Sequence, residues 1–195
     1  MLEVKNVTIA VGERVLAENL SFIANDGELT CITGAIASGK TTLIRTLMGF
    51  LPVKTGFVSV DGELLTIYSS HAFREMMVYL PQDAQALRIQ QEETEAPENE
   101  ADDYAVWNEV LPTVEMPQPK APLTTDEIML LATKTLEESA DKPIIIADEP
   151  TALLSSEHAH QLMSLLQQQA EQGKTVVVTS RDPLVIDRAN KIINI

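Results

Sequence analysis

Basic residues are scarce in this 195-residue chain, with 14 Lys and Arg against 29 Asp and Glu for a formal net charge of −15. Binding to DNA or RNA depends on clustered Lys and Arg that displace counterions from phosphates, so no nucleic-acid partner is expected. Cysteine is nearly absent. The one present, Cys31, sits in the apolar stretch LTCIT, which excludes an internal disulfide and suits a core residue of a cytosolic chain. Long hydrophobic runs are missing too: no eighteen consecutive apolar residues occur, so no membrane-crossing helix is expected. The opening MLEVKNVTIAVGERVL alternates and carries charge, unlike a secretory leader. What is present is enough apolar material for one sizeable domain, at 45% of the residues. Much of the negative charge is local, because residues 92–103, EETEAPENEADD, hold seven acids and no base. Such a block is expected to form a solvated, mobile loop, with a docking surface for a basic partner as the alternative.

Glycine is concentrated where chemistry needs it. Residues 34–42 read GAIASGKTT, directly after LTCIT. Glycine lets a backbone curl tightly and expose its N–H groups. A helix starting just beyond such a loop offers unpaired donors and a positive dipole end. Lys40 adds an ammonium able to reach along a polyphosphate, and Thr41 a hydroxyl where a phosphate-bound Mg²⁺ would need one. Gly34, Gly39, Lys40 and Thr41 are in register with the phosphate-loop pattern G-x-x-x-x-G-K-[ST]. The expected nucleotide contacts are Gly34, Ala35, Ile36, Ala37, Ser38, Gly39, Lys40, Thr41 and Thr42.

The surrounding pattern predicts an α/β domain with a largely parallel core sheet. The first thirty residues read as strands joined by a turn at Val11-Gly12-Glu13. KTTLIRTLM reads as a short helix closed by Gly49, Gly56 opens the strand FVSV, and Asp61-Gly62 signals a hairpin. VYL at 78–80 is a strand ended by Pro81. From 83 to 122 the pattern decays into glutamines, acids and five prolines, where Trp107, Val110 and Leu111 could anchor one helix. Helical order returns at Leu123, with Thr124 and Glu127 spaced as a capping box. IIIAD is a continuous apolar run suited to a buried parallel strand. In the helix that follows, Ala159, Leu162, Met163, Leu166 and Ala170 share one face. TVVVTS and KIINI complete the sheet.

A second motif lies at the end of IIIAD. Asp148 and Glu149 fall at the carboxyl end of a buried strand, where open α/β sheets bind ligands. Asp148 is placed to hold Mg²⁺ beside the Thr41 hydroxyl, and Glu149 to orient or deprotonate an attacking water. His158 and His160 are two apart on a helix and point to different sides, so both are expected to be surface residues.

Together these stretches resemble the ATP-binding subunit of ABC (ATP-binding cassette) transporters, nearly end to end. TTLIRTLMGFLPVKTGFVSVDGE is similar to the segment after this family's phosphate loop, YLPQ at 79–82 to its Gln-loop, and IIIADEPTALLSSE to its Walker B strand and the loop beyond. The resemblance implies a P-loop ATPase fold with an N-terminal antiparallel β portion. It also implies ATP and Mg²⁺ as cofactors, with Thr41, Gln82 and Asp148 at the metal and Glu149 as the catalytic base. The chain reads as one domain, with residues 1–82 and 143–195 as the ATPase core and 83–142 as a reduced, acidic, proline-rich helical subdomain. The implied partners are an integral membrane permease and a second cassette, in a homodimer or a heterodimer. The implied location is cytoplasmic, at the inner face of the cell membrane.

Departures from the family pattern qualify that function. LTTDE at 123–127 stands where the family carries LSGGQ, and Asp126 and Glu127 would bring carboxylates near a triphosphate. Two unit charges 4 Å apart repel by about 4 kcal/mol at an effective dielectric of 20, against about 0.3–1 kcal/mol gained at a helix end. The switch histidine position falls at Ser180 or Arg181, the aspartate beyond Walker B near Leu154 or Ser155, and the adenine-stacking aromatic near Val11. A middle loop glycine is Ala37, a mild change. An energy-coupling transporter subunit with slow turnover on its own is therefore the primary reading, and an ATP-binding sensor that transports nothing is the alternative. Replacing Lys40 by alanine should weaken a fluorescent ATP analogue about tenfold or more in a titration, because a charge-assisted hydrogen bond contributes about 1.5–3 kcal/mol. Unchanged affinity would remove the basis of both readings.

Overall fold

The computed structural model describes residues 1–95 and 121–195, with residues 90–95 described by their backbone alone. The chain runs through β1 (Leu2–Val11), β2 (Arg14–Ala24), β3 (Leu29–Thr33), α1 (Lys40–Leu47), β4 (Thr55–Val60) and β5 (Glu63–Leu64). It continues through α2 (Ser70–Glu75), β6 (Met77–Leu80), α3 (Ala84–Glu95) and α4 (Thr125–Glu138). β7 (Ile144–Asp148), α5 (Ser156–Glu171), β8 (Thr175–Thr179), α6 (Pro183–Arg188) and β9 (Lys191–Asn194) complete it. Two sheets result: an antiparallel one in the order β2-β1-β4-β5 and a fully parallel one in the order β6-β7-β8-β3-β9.

The two kinds of hydrophobic pattern explain the two sheets. β1 buries Leu2, Val4, Val7 and Ile9, and the odd step from Val4 to Val7 would turn its second half outward in a regular strand. A bulge corrects this: the register against β2 shifts between Val4 and Val7, and Asn6 takes a left-handed φ of 50°. In β7, by contrast, every residue is buried. Ile144 and Ile146 pack toward α1 and the antiparallel sheet, while Ile145 and Ala147 pack toward α4, α5 and α6. A strand covered on both faces needs a continuous apolar run rather than alternation.

Helices follow their local signals. Thr124 and Glu127 form the expected reciprocal capping box at α4, and all five apolar residues assigned to the inner face of α5 are buried. The Cys31 thiol is buried, and desolvation pushes its pKa up to about 11, which leaves it an inert core group. Residues 84–95 overturn the expectation that order is lost from 83 onward. They form α3, started by Asp83, whose carboxylate accepts from the Gln85 N–H at 3.0 Å, and anchored by buried Ala84 and Leu87. Ala, Gln, Leu, Arg and Glu are strong helix formers, so the glutamines and acids taken as pattern decay continue a helix. The first four residues of the acidic block, 92–95, belong to α3. The rest of that block and Trp107, Val110 and Leu111 lie outside the described residues. The short helices α2 and α6 were not legible from periodicity, although Asp182 caps α6 and Pro183 takes its first turn.

The bulge in β1 also dictates a glycine. A Cβ on Gly56 would lie 2.2 Å from the Lys5 carbonyl oxygen and 2.4 Å from that of Asn6, and Gly56 has a φ of 77°. Backbone atoms cannot swing aside as a side chain can. Gly56→Ala is expected to destabilise the domain by about 3 kcal/mol or more, measured as a lower denaturation midpoint in urea.

Candidate nucleotide site

Four loops leave the carboxyl ends of the parallel strands on one edge of the sheet, after β3, β6, β7 and β8. The loop after β3 is residues 34–39. Glycine is needed at its start because a Cβ on Gly34 would lie 2.2 Å from the Ile195 carbonyl oxygen. Glycine is needed at its end because Gly39 has a φ of 105° and a Cβ there would press on Leu16 and Ile9. α1 then begins with no side-chain cap and no acid in its first turn. Its first N–H groups are left for an anion, as the sequence pattern implied.

Lys40 is buried, and its ammonium donates to the Gly34 and Ala35 carbonyls, both at 3.1 Å. The same ammonium lies 3.7 Å from the Glu149 carboxylate. Glu149 follows β7 in a left-handed turn with a φ of 46°, an uncommon conformation for this residue type, which turns its side chain out of the strand path. Its other neighbours come from the loop after β8. The Arg181 guanidinium stands 3.7 Å away, and the Ser180 hydroxyl and Arg181 N–H each donate at 3.4 Å.

A cavity of about 470 Å³ opens here, lined by Ile36, Ala37, Gly39, Lys40, Thr41 and Thr42 of the loop and helix, and by Gln82, Glu149 and Arg181. The β1–β2 hairpin closes its far side with Val11, Arg14 and Leu16. Gly34, Ala35 and Ser38 shape the loop from behind. Thr41 and Gln82 also line a second cavity of about 660 Å³, whose wall includes Asp148. Asp148 is almost fully buried; its Oδ1 accepts from the Thr179 hydroxyl, while its Oδ2 has no partner. A hydroxyl, an amide and a carboxylate with an unpartnered oxygen form a hard-oxygen donor set, so the residues present fit Mg²⁺.

The structure thus brings together Lys40, Thr41, Gln82, Asp148 and Glu149 from three separate loops. It adds Arg14 and Leu16, which no motif spacing singled out, because the hairpin reaches the site only by folding back over the loop, and it places Arg181, at the switch histidine position, in the same cavity. Two expectations need correction. Ala37 is not a mild replacement, since it adopts a φ of 62° that a Cβ disfavours. His158 is not a plain surface residue: its side chain is 21% exposed, and its ring bridges the Ser155 hydroxyl at 3.2 Å and the Asp126 carboxylate at 3.4 Å. Those contacts tie the start of α5 to the start of α4. His160 is exposed and meets Arg188.

At the start of α4 the Glu127 carboxylate turns back on its own helix, accepting from the Thr124 N–H at 2.8 Å and the Thr124 hydroxyl at 2.9 Å. These bonds hold its carboxyl below the usual range. Its charge is thus already spent on the N-terminus of α4, although Asp126 beside it remains exposed.

With this geometry in hand, likeness to known proteins is informative. The ABC transporter family matches residues 17–152, well over half of the chain. The chain belongs to the ABC transporter family. It is 29% identical to a cytochrome c biogenesis ATP-binding export protein, CcmA, of Vibrio cholerae, covering 96% of this chain and 94% of that one. It is also 29% identical to an ATP-dependent lipid A-core flippase of Burkholderia thailandensis, covering 92% of this chain. The chain spans about a third of the length of that flippase, 32%. A nucleotide-free ATP-binding cassette of an ABC transporter superposes with a TM-score of 0.73 over 100% of this chain and 87% of that one, at 20% identity. The fold is therefore that of an ABC ATPase of the P-loop superfamily, with an antiparallel and a parallel sheet. Among the described residues no helix of this cassette is long and apolar enough to cross a membrane.

The strain at Ala37 is testable. A left-handed alanine costs about 1–2 kcal/mol, and glycine would return about 0.4–1 kcal/mol of that as unfolded-state freedom. Ala37→Gly is expected to stabilise the cassette by about 0.5–1 kcal/mol, read as a raised denaturation midpoint.

Proposed function

We propose that this cassette binds Mg-ATP and couples its binding and hydrolysis to a separate membrane permease. One observation carries the proposal: Lys40, Thr41, Gln82, Asp148 and Glu149 converge at the carboxyl edge of the parallel sheet, with Lys40 and Glu149 only 3.7 Å apart. The amides of residues 34–42 and the Lys40 ammonium receive the β- and γ-phosphates. Thr41, Gln82 and Asp148 are the residues that would hold Mg²⁺, which when bound neutralises phosphate charge. Glu149 orients a water in line with the γ-phosphorus and takes its proton as the bond to the β–γ bridging oxygen breaks, releasing ADP and phosphate. For Lys40 to reach the nucleotide, its bonds to the Gly34 and Ala35 carbonyls must exchange for bonds to phosphate oxygens.

Residues 1–82 and 143–195 serve as the ATPase core, and 83–142 as the segment that passes motion to the permease at the inner face of the membrane. A second cassette, identical or different, completes the working pair. In a homodimer the α4 start supplies little to a nucleotide across the interface, because its capping box consumes the Thr124 and Glu127 N–H groups. That observation favours slow turnover by identical copies and supports the second reading, an ATP-binding sensor. Turnover measurements separate the two. Glu149→Gln is expected to lower ATP hydrolysis by about 100-fold or more, the usual contribution of a positioned base, while nucleotide affinity stays within about twofold. Hydrolysis that survives the substitution removes Glu149 from the mechanism. No hydrolysis by the unaltered cassette, alone or with a partner cassette, leaves the sensor reading.

A further inference from the structure

Glu149 is the base of the proposed reaction, and the groups that already hold it decide how freely it can act. Its side chain is only 13% exposed, and four donors from two other loops face it. The Ser180 hydroxyl and the Arg181 N–H donate to Oε2, each at 3.4 Å. The Lys40 ammonium and the Arg181 Nε both stand on Oε1, each at 3.7 Å. An ionised carboxylate offers about four lone-pair sites. The donors match that number, so a water that is to be oriented and deprotonated must compete for a place.

The two cations respond differently to a nucleotide. Lys40 opens α1 at the end of the phosphate loop, and in turning to phosphate oxygens it leaves Oε1. Arg181 lies on the loop after β8 and grips the carboxylate at two points, with its main chain on one oxygen and its side chain on the other. Among the described residues it has no other acidic partner. A guanidinium stays charged at any working pH, so no loss of a proton frees Glu149 from it. The loop is fixed by other contacts. Ser180 is fully buried and accepts from the Asp182 N–H at 3.0 Å. Asp182 in turn accepts from the Leu184 N–H at 3.0 Å and from the Thr151 hydroxyl at 2.8 Å. The Arg181 side chain, 53% exposed, takes part in none of these bonds.

From this two-point grip we infer that Arg181 is a positioning residue that restrains hydrolysis, by keeping Glu149 paired after Lys40 has turned to the phosphates. The inference rests on the reading of Glu149 as the base and of residues 34–42 as the phosphate site. It traces slow turnover to a contact within one chain, separate from anything a second copy contributes. A guanidinium that moved to the γ-phosphate instead would stabilise developing charge and speed the reaction. The two roles therefore differ in the sign of a substitution.

The test is steady-state ATP hydrolysis by the intact chain with Mg²⁺, followed over a range of ATP concentrations. Arg181→Gln keeps the main-chain N–H and removes the charge. It should raise kcat about two- to fivefold, the effect of losing a half-exposed ion pair, with KM within about twofold. Arg181→Ala should do the same, and Arg181→Lys, which keeps the charge, should fall between Arg181→Gln and the unaltered protein. Raising NaCl from about 50 mM to about 300 mM screens the pair and should narrow the ratio of kcat between Arg181→Gln and the unaltered protein. An unchanged or lower kcat in Arg181→Gln and Arg181→Ala overturns the inference; if Glu149→Gln still suppresses turnover, the reading of Glu149 as the base survives that failure. Turnover that persists in Glu149→Gln overturns both. Absence of hydrolysis in every one of these proteins also overturns the inference, while titration with a fluorescent ATP analogue still reports on the phosphate site.

Discussion

The uncapped start of α1 is the constraint around which this edge of the molecule is organised. A helix that begins with neither a side-chain cap nor an acidic residue leaves its first N–H groups without protein partners. Such an end is tolerable only at a surface or opposite an anion. Here the preceding loop curls so that Lys40 closes onto the Gly34 and Ala35 carbonyls. The ammonium is thereby poised over the same space into which the free amides point. In a chain with a net charge of −15, this cavity gathers Arg14, Lys40 and Arg181 around the single carboxylate of Glu149.

Holding that loop requires both sheets. The parallel sheet delivers β3, β6, β7 and β8 to one edge, so that residues separated by more than a hundred positions become neighbours. The antiparallel sheet presses its hairpin against the loop through Ile9 and Leu16, which approach Gly39 so closely that a Cβ would press on both. Leu43, Ile44 and Leu47 of α1 are buried between the two sheets. The loop is thus clamped from the strand side and the hairpin side, and this lets it carry the left-handed Ala37. Glu149 carries a second strained turn, supported by its N–H donating to the Thr179 carbonyl at 2.9 Å. Strain collects where side chains must be aimed rather than packed.

The start of α4 shows the opposite solution. There the helix satisfies two of its own donors through Thr124 and Glu127, and His158 fastens it to α5 through Asp126. The two helix starts make a contrast within one chain: α1 is left open toward a cavity, and α4 is capped by its own side chains. This contrast is the physical content of the departure at residues 123–127.

Much of this was legible in the residues alone. The step from an apolar strand through a glycine loop to Lys-Thr-Thr is a local pattern, as are the capping box at Thr124 and the inner face of α5, because each depends on neighbours within a turn or two. The continuous run IIIAD spoke for a strand buried on both faces for the same reason. Contacts between distant segments were not legible. Arg14, Leu16 and Arg181 reach the cavity only because the hairpin folds over the loop and β8 lies beside β7. Gly56 is required by the Lys5 and Asn6 carbonyls, far away in sequence, and no local signal marked Ala37 as left-handed. α3 was misjudged because a run of polar helix formers lacks an apolar period. Sequence by itself determined which residues could capture a polyphosphate, since that rests on short-range backbone geometry. Tertiary structure alone decided what surrounds it, since the walls of the cavity come from strands that meet only when both sheets are packed.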